Sequence, residues 1–142
     1  MEKSITDLQL LDNYVSKCNI DIFNKISHSA EMNIDVNVGF CIVNIDEENS
    51  IGQIELTYDI DARVKDKKAA TISLVMNALF HTSNNLDKKD FEKLLKYNAA
   101  PILSNLCIAY ISSITALSGI PAINLPIIDF NDFFSNTTTE KL

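Results

Sequence analysis

The stretch Tyr97-Asn98-Ala99-Ala100-Pro101-Ile102-Leu103-Ser104-Asn105-Leu106-Cys107-Ile108-Ala109-Tyr110-Ile111-Ser112-Ser113-Ile114-Thr115-Ala116-Leu117-Ser118-Gly119-Ile120-Pro121-Ala122-Ile123-Asn124-Leu125-Pro126-Ile127-Ile128 contains no charged side chain. Charges are dense almost everywhere else, so most of this surface is expected to be shielded from water. Pro101 suits the first turn of a helix and Gly119 the position just past its end, which frames a helix over about 101–118. Ile102, Leu103, Leu106, Tyr110, Ile111, Ile114 and Leu117 recur at i, i+3/i+4 spacing. Cys107, Ile108 and Ala109 widen the apolar arc well past one stripe. A helix apolar nearly all round is buried on more than one side.

A bilayer is one such environment, but the sequence argues against it. Ser104, Asn105, Ser112, Ser113, Thr115 and Ser118 interrupt the apolar run, Pro101 opens it, and no lysine cluster flanks it beyond Lys96. Just upstream, Asp87 or Asn85 can cap a shorter helix with apolar Phe91, Leu94 and Leu95. A break is expected at Asn98-Ala99-Ala100, because the residue before a proline avoids the α region.

The first half of the chain alternates with a period of two. Ile54, Leu56, Tyr58, Ile60, Ala62 and Val64 oppose Gln53, Glu55, Thr57, Asp59, Asp61 and Arg63. Met32, Ile34, Val36, Val38, Phe40 and Ile42 repeat the pattern, and the phase slips at Val43 and Ile45, which predicts a bulge. Ala70, Ile72, Leu74, Met76, Ala78 and Phe80 form a further strand; Cys18, Ile20 and Ile22 belong to an earlier one beginning near Leu8. The polar connections at 46–50 and 65–68 are short, so their strands are antiparallel neighbours. The fold class is therefore α+β: a four-stranded antiparallel sheet, a long packing helix, a crossover loop and a short C-terminal helix. A single domain over 1–134 precedes a short polar tail, 135–142.

That sheet covers one side of the helix. A second copy of the chain, packed isologously, is expected to cover the other through Leu103, Leu106, Tyr110, Ile114 and Leu117. The alternative is cover by strand connections or the C-terminus.

Composition excludes several classes. With 142 residues the chain buries about 68–70% of its unfolded surface and needs no disulfide or metal to fold. Cys18, Cys41 and Cys107 are odd in number and form no CxxC pair, which fits a reducing cytoplasm. No apolar core follows Lys3, so no signal peptide is expected. A net charge of −7 disfavours nucleic-acid binding. His28 and His81 have no motif partner, the inward positions of three strands carry no acid or base, and no phosphate loop is present. Neither an enzyme nor a cofactor or metal site is expected.

Several segments together resemble a known family. They are residues 98–103, Tyr110-Ile111-Ser112-Ser113, residues 119–126 and Asp129-Phe130-Asn131-Asp132-Phe133-Phe134, with residues 14–21 as a first strand. This pattern resembles the bacterial protein-export chaperone SecB and its SecB-like relatives, over nearly the whole chain. The resemblance implies a homotetramer, a dimer of dimers, that holds non-native polypeptides in hydrophobic grooves and hands them to the ATPase SecA. It implies a peptide site at Ile120, Ile123, Leu125, Ile127 and Ile128 in a loop kept extended by Pro121 and Pro126. Phe130, Phe133 and Phe134, on a short helix capped by Asp129, would form a second wall. It also implies translocase docking on an acidic sheet face, for which Asp21, Glu55 and Asp59 are candidates. Lys17 and Val75 stand where relatives are acidic, and Ile108 where many carry an arginine. Some SecB-like chaperones serve a single antitoxin, so a dedicated adaptor is the rival expectation.

Overall fold

The computed structural model describes residues 7–136. Four long strands come first: β1 (Gln9–Ile22), β2 (Asn33–Asp46), β3 (Ile51–Val64) and β4 (Lys67–His81). They form one antiparallel sheet in the order β1-β4-β3-β2. The central strands show the alternation most clearly. Ile54, Leu56, Tyr58, Ile60 and Ala62 of β3, and Ala70, Ile72, Leu74, Met76, Ala78 and Phe80 of β4, are all buried. The edge strands β1 and β2 contribute mostly half-buried side chains to the same face.

Local chemistry explains the turns. Between β2 and β3, the Asp46 carboxylate accepts from the Asn49 amide at 3.2 Å and from Asn49 Nδ2 at 2.8 Å. These bonds hold its pKa below the usual carboxylate range. The β3–β4 turn has two central residues, Lys65 (φ 51°) and Asp66 (φ 66°), whose left-handed backbone matches the twist of the strands. A bulge lies between Ile42 and Asn44, where the phase slip predicts one. Strand β1 has two more, at Leu10/Asp12 and Val15/Lys17, so its inward set of Leu8, Leu10, Val15, Cys18 and Ile20 departs from period two.

Asp87 caps α1 (Lys88–Leu94) by accepting from the Asp90 amide at 2.8 Å. The break expected at 98–100 does not occur. A π-turn (Leu95–Ala99) carries the chain without interruption into α2 (Ala100–Leu117), and the Ala100 amide reaches the Leu95 carbonyl, five residues back. In a continuous α-helix the Pro101 ring would meet the Tyr97 carbonyl; the wider π-turn relieves that contact.

Buried positions follow every fourth residue: Phe91, Leu95, Ala99, Leu103, Cys107, Ile111 and Thr115. At about 100° per residue each four-residue step over-rotates by about 40°. The π-turn takes up part of that drift and keeps the stripe on the sheet. Inside this layer the Tyr58 hydroxyl lies 2.8 Å from Ser104 Oγ, so both buried hydroxyls are satisfied. The helical run Lys88–Leu117 is long and apolar enough to cross a membrane, but its apolar stripe lies on the chain's own sheet. Ser118 ends α2, and Gly119 (φ 91°) turns the chain away. The last element is α3 (Phe130–Asn136). Of the polar tail expected over 135–142, residues from 137 onward lie outside the described residues.

Candidate functional site: the crossover loop and the aromatic helix

Residues 119–129 leave the end of α2, and two side chains of that helix hold them back against it. Thr115 Oγ1 accepts from the Ile123 amide at 2.9 Å and donates to the Ile111 carbonyl at 2.7 Å. Ser112 Oγ donates to Asn124 Oδ1 at 2.7 Å. The first half of the loop is therefore part of the core, with Ile120 and Ile123 buried. Beyond it Leu125 and Ile128 are half-buried, and Ile127 is 81% exposed.

Asp129 starts α3 by accepting from the amides of Asn131 at 3.0 Å and Asp132 at 3.4 Å. Its i, i+3, i+4 phenylalanines then cluster. Phe130 and Phe134 are buried, and Phe133 is half-buried against both, at centroid distances of 5.4 and 5.1 Å. Phe134 is the anchor. Its ring packs edge-on against Phe40 of β2 at 5.1 Å and against Tyr97 of the π-turn at 5.5 Å. Lys96 Nζ sits 5.5 Å from its centroid. Beside it a shallow depression of about 250 Å³ is lined by Phe40, Cys41, Ile42, Glu92 and Lys96.

The eight residues expected to bind peptide thus divide. Ile120, Ile123, Phe130 and Phe134 are built into the chain's own core; Leu125, Ile127, Ile128 and Phe133 keep accessible apolar surface. From the sequence all eight are groove candidates, with pinning to the core as the alternative, because a period within a loop cannot tell a side chain pinned inward from one facing out. The sequence reading missed Phe40, Lys96 and Tyr97 as neighbours of the aromatic helix. They lie far from α3 in sequence, and no local pattern joins them.

The five helix residues assigned to a subunit interface also divide. Leu103 has no exposed surface and faces the sheet, so that assignment is corrected. Leu106, Tyr110 and Ile114 are half-buried, packed against the margin of the chain's own core, and Leu117 is 87% exposed. Burial pushes the Tyr110 phenol up, and its neighbour Cys18 on β1 adds to this.

On the outer face of the sheet, Asp21 lies opposite Thr71, which lies opposite Asp61; Asp59 is one rung away opposite Ser73. With Asp35 they line an open depression of about 770 Å³. Asp61 is held by Arg63 at 3.2 Å and Lys68 at 3.9 Å. Glu55 is not part of this group. It sits farther along β3 in a cross-strand network centred on buried Asn77, which donates to Glu55 at 3.4 Å and to Ser16 at 3.1 Å and accepts from Gln53 at 2.9 Å. Among the described residues no group of His, Cys, Asp or Glu is placed to hold a metal ion.

Comparisons with known proteins agree with this architecture. The family model described as preprotein translocase subunit SecB matches residues 3–141. Among solved structures, the Mycobacterium tuberculosis SecB-like chaperone Rv1957, in complex with a ChAD peptide from the HigA1 antitoxin, superposes with a TM-score of 0.73. It is 12% identical, and the match covers 86% of this chain and 91% of that one. A protein of unknown function from Streptococcus agalactiae matches at a TM-score of 0.45 and 16% identity, over 87% of this chain and 99% of that one. No curated protein sequence matches the chain. With nearly all of its length matched by the family model and its fold shared with a SecB-like chaperone, the chain belongs to the SecB family.

Proposed function

We propose that this SecB-family chaperone is an ATP-independent holdase of the cytoplasm, binding non-native polypeptide along the second half of the crossover loop and the exposed flank of α3. The observation that carries the reading is Ile127, 81% exposed between half-buried Leu125 and Ile128 and next to a cluster of three phenylalanines. Chain ends and turns commonly expose an isolated aliphatic side chain. A run of them beside aromatics is what an extended apolar segment needs.

Full burial of an aliphatic side chain contributes about 1.5–3 kcal/mol, and these are already part-buried, whereas association and ordering cost about 4–15 kcal/mol. One groove on one chain therefore holds a client weakly. Several grooves in an oligomer raise avidity, which favours assembly as a dimer of dimers through α2. Purified protein should slow aggregation of a chemically unfolded client at near-stoichiometric concentration, without nucleotide. Absence of both binding and protection would sink the reading.

The second reading is a chaperone dedicated to one partner, such as an antitoxin. The Mycobacterium tuberculosis SecB-like chaperone was solved with an antitoxin peptide, and its fold is shared here. Competition separates the two: unrelated unfolded proteins displace a client from a general holdase and leave a dedicated partner bound. SecA docking at Asp21 and Asp59 belongs to the general-export version. It predicts that Asp21→Lys/Asp59→Lys abolishes SecA binding without affecting client protection.

A further inference from the structure

At the end of the sheet where β1 leaves and β3 turns into β4, side chains from 24–33 and 64–69 line a cleft of about 820 Å³. Its floor is apolar, made by buried Ile26 and Ala69 with half-buried Ala30 and Val64. Its rim is basic: Lys25, Lys65, Lys67 and Lys68 line it, against the single carboxylate of Glu31. The whole chain has 12 basic side chains and a net charge of −7. A third of those cations therefore converge on one opening of an acidic protein. Lys68 shares Asp61 with Arg63, whereas Lys25, Lys65 and Lys67 make no ion pair among the described residues.

The backbone adds a second observation. A two-residue turn of this hand favours Asn or Gly at its first central position. Lys65 occupies it at φ 51°. A residue that breaks the local rule points to a role outside the turn.

A second, smaller depression adjoins the cleft. Phe23 is 53% exposed, and its amide is bonded to the Ala69 carbonyl at 2.8 Å, which ties the backbone at the end of β1 to β4. Ile22 and Phe23 line an adjoining depression that reaches Ser118, Gly119 and Ile120, where the crossover loop begins. Lys25 and Ile26 border both depressions.

We propose that this cleft is a docking site for an extended polypeptide segment in which carboxylates flank an apolar residue. The lysines receive the carboxylates, and the Ile26–Ala69 floor receives the apolar side chain. The proposal rests on the reading of the chain as a polypeptide binder and adds a charge preference. The crossover loop carries no charge between 120 and 128 and cannot discriminate by charge. The net charge of −7 disfavours a carboxylate-rich segment over the molecule as a whole, so a local lysine cluster is needed to receive one.

The test is fluorescence anisotropy with an end-labelled peptide alternating Glu and Leu, and with its counterpart in which every Glu is Lys. Wild-type protein binds the Glu peptide at least about tenfold tighter, and the affinity falls several-fold as salt rises to about 0.3 M. The double variant Lys25→Glu/Lys67→Glu, altered only at exposed side chains, loses about tenfold for the Glu peptide while its protection of an unfolded client is unchanged. Equal binding of the two peptides, or undiminished binding by the variant, overturns the proposal. So does a single-stranded oligonucleotide that displaces the Glu peptide. If the wild type protects a client yet ignores the Glu peptide, only the cleft assignment falls; if it protects no client, the holdase reading falls with it.

Discussion

At the scale of single residues, Gly52 of β3 lies against Leu95 of the π-turn with no room for a side chain. A Cβ built on Gly52 would lie 2.7 Å from Leu95 Cδ1, and Leu95 has no exposed surface into which to retreat. Gly52→Ala should therefore cost about 1–3 kcal/mol in urea denaturation, as overpacking in cores does. Trimming Leu95 to Val in the same chain should recover part of that loss, and simple additivity of the two would disprove the contact. Titratable groups in the same layer give a pH dependence. Burial pushes the Cys107 thiol up to about 12 from 9.0, and the Tyr58 phenol to about 12 from 10.0 against the opposing pull of its Ser104 hydrogen bond. Both groups are neutral when protonated, and their folded pKa values are raised, so the unfolded chain loses its protons first. The associated stability is complete below about pH 9 and declines as pH climbs toward 12. Urea midpoints measured from pH 8 to 11 should fall, and Tyr58→Phe should flatten the upper part of that fall. At pH 8 iodoacetamide should label exposed Cys41 well before buried Cys107.

At the scale of elements, the joint between α2 and the crossover loop decides how much apolar surface the loop can release. Thr115 is fully buried, and its hydroxyl is the partner of the Ile123 amide. Thr115→Val keeps the shape and removes the acceptor, leaving a buried N–H unpaired, at a cost of about 1–3 kcal/mol. Hydrogen exchange at Ile123 should speed up, and limited proteolysis should cut within 119–129 earlier than in the wild type. Unchanged exchange would mean that apolar packing of Ile120 and Ile123 alone holds the loop. This joint was invisible in the sequence, where Thr115 counts only as a polar interruption of an apolar helix. What could be read there was whatever repeats over short distances: the period-two faces of β3 and β4, the slip at Val43, the Asp87 cap and the Gly119 stop. Pro101 marked the right place but the wrong device, because a ring in a helix signals a disturbance without saying whether the chain breaks or widens. The stripe from Phe91 to Thr115, always four residues apart, was the available sign that the helix absorbs a π-turn. The candidate site was legible in outline only. Which of its isoleucines and phenylalanines face inward depends on Phe40 and Tyr97, contributed by distant parts of the chain.

At the scale of the whole molecule, two surfaces should answer to salt with opposite signs. α2 exposes Leu117 at 87% and leaves Leu106, Tyr110 and Ile114 half-covered at the margin of the core. Each chain carries −7, so subunits that meet there associate through apolar contact against a net repulsion. Added salt shortens the reach of that repulsion to about 8 Å at physiological ionic strength and leaves hydrophobic contact intact. Assembly should therefore tighten with salt, whereas capture of carboxylates at the lysine-rimmed cleft should weaken. A charge placed in the strip tests the first half of this contrast. In an isologous contact each substitution counts twice, and burying one leucine contributes about 1.5–3 kcal/mol. Leu106→Asp should then weaken association by at least about a hundredfold. Light scattering across a concentration series should show the wild type above monomer mass and the variant falling to it, while circular dichroism keeps the wild-type shape because Leu106 is half-buried at the margin of the core and not fully inside it. A wild type that remains monomeric at high salt and high concentration would show that the strip is not a subunit interface, and the avidity on which weak single grooves depend would have no source.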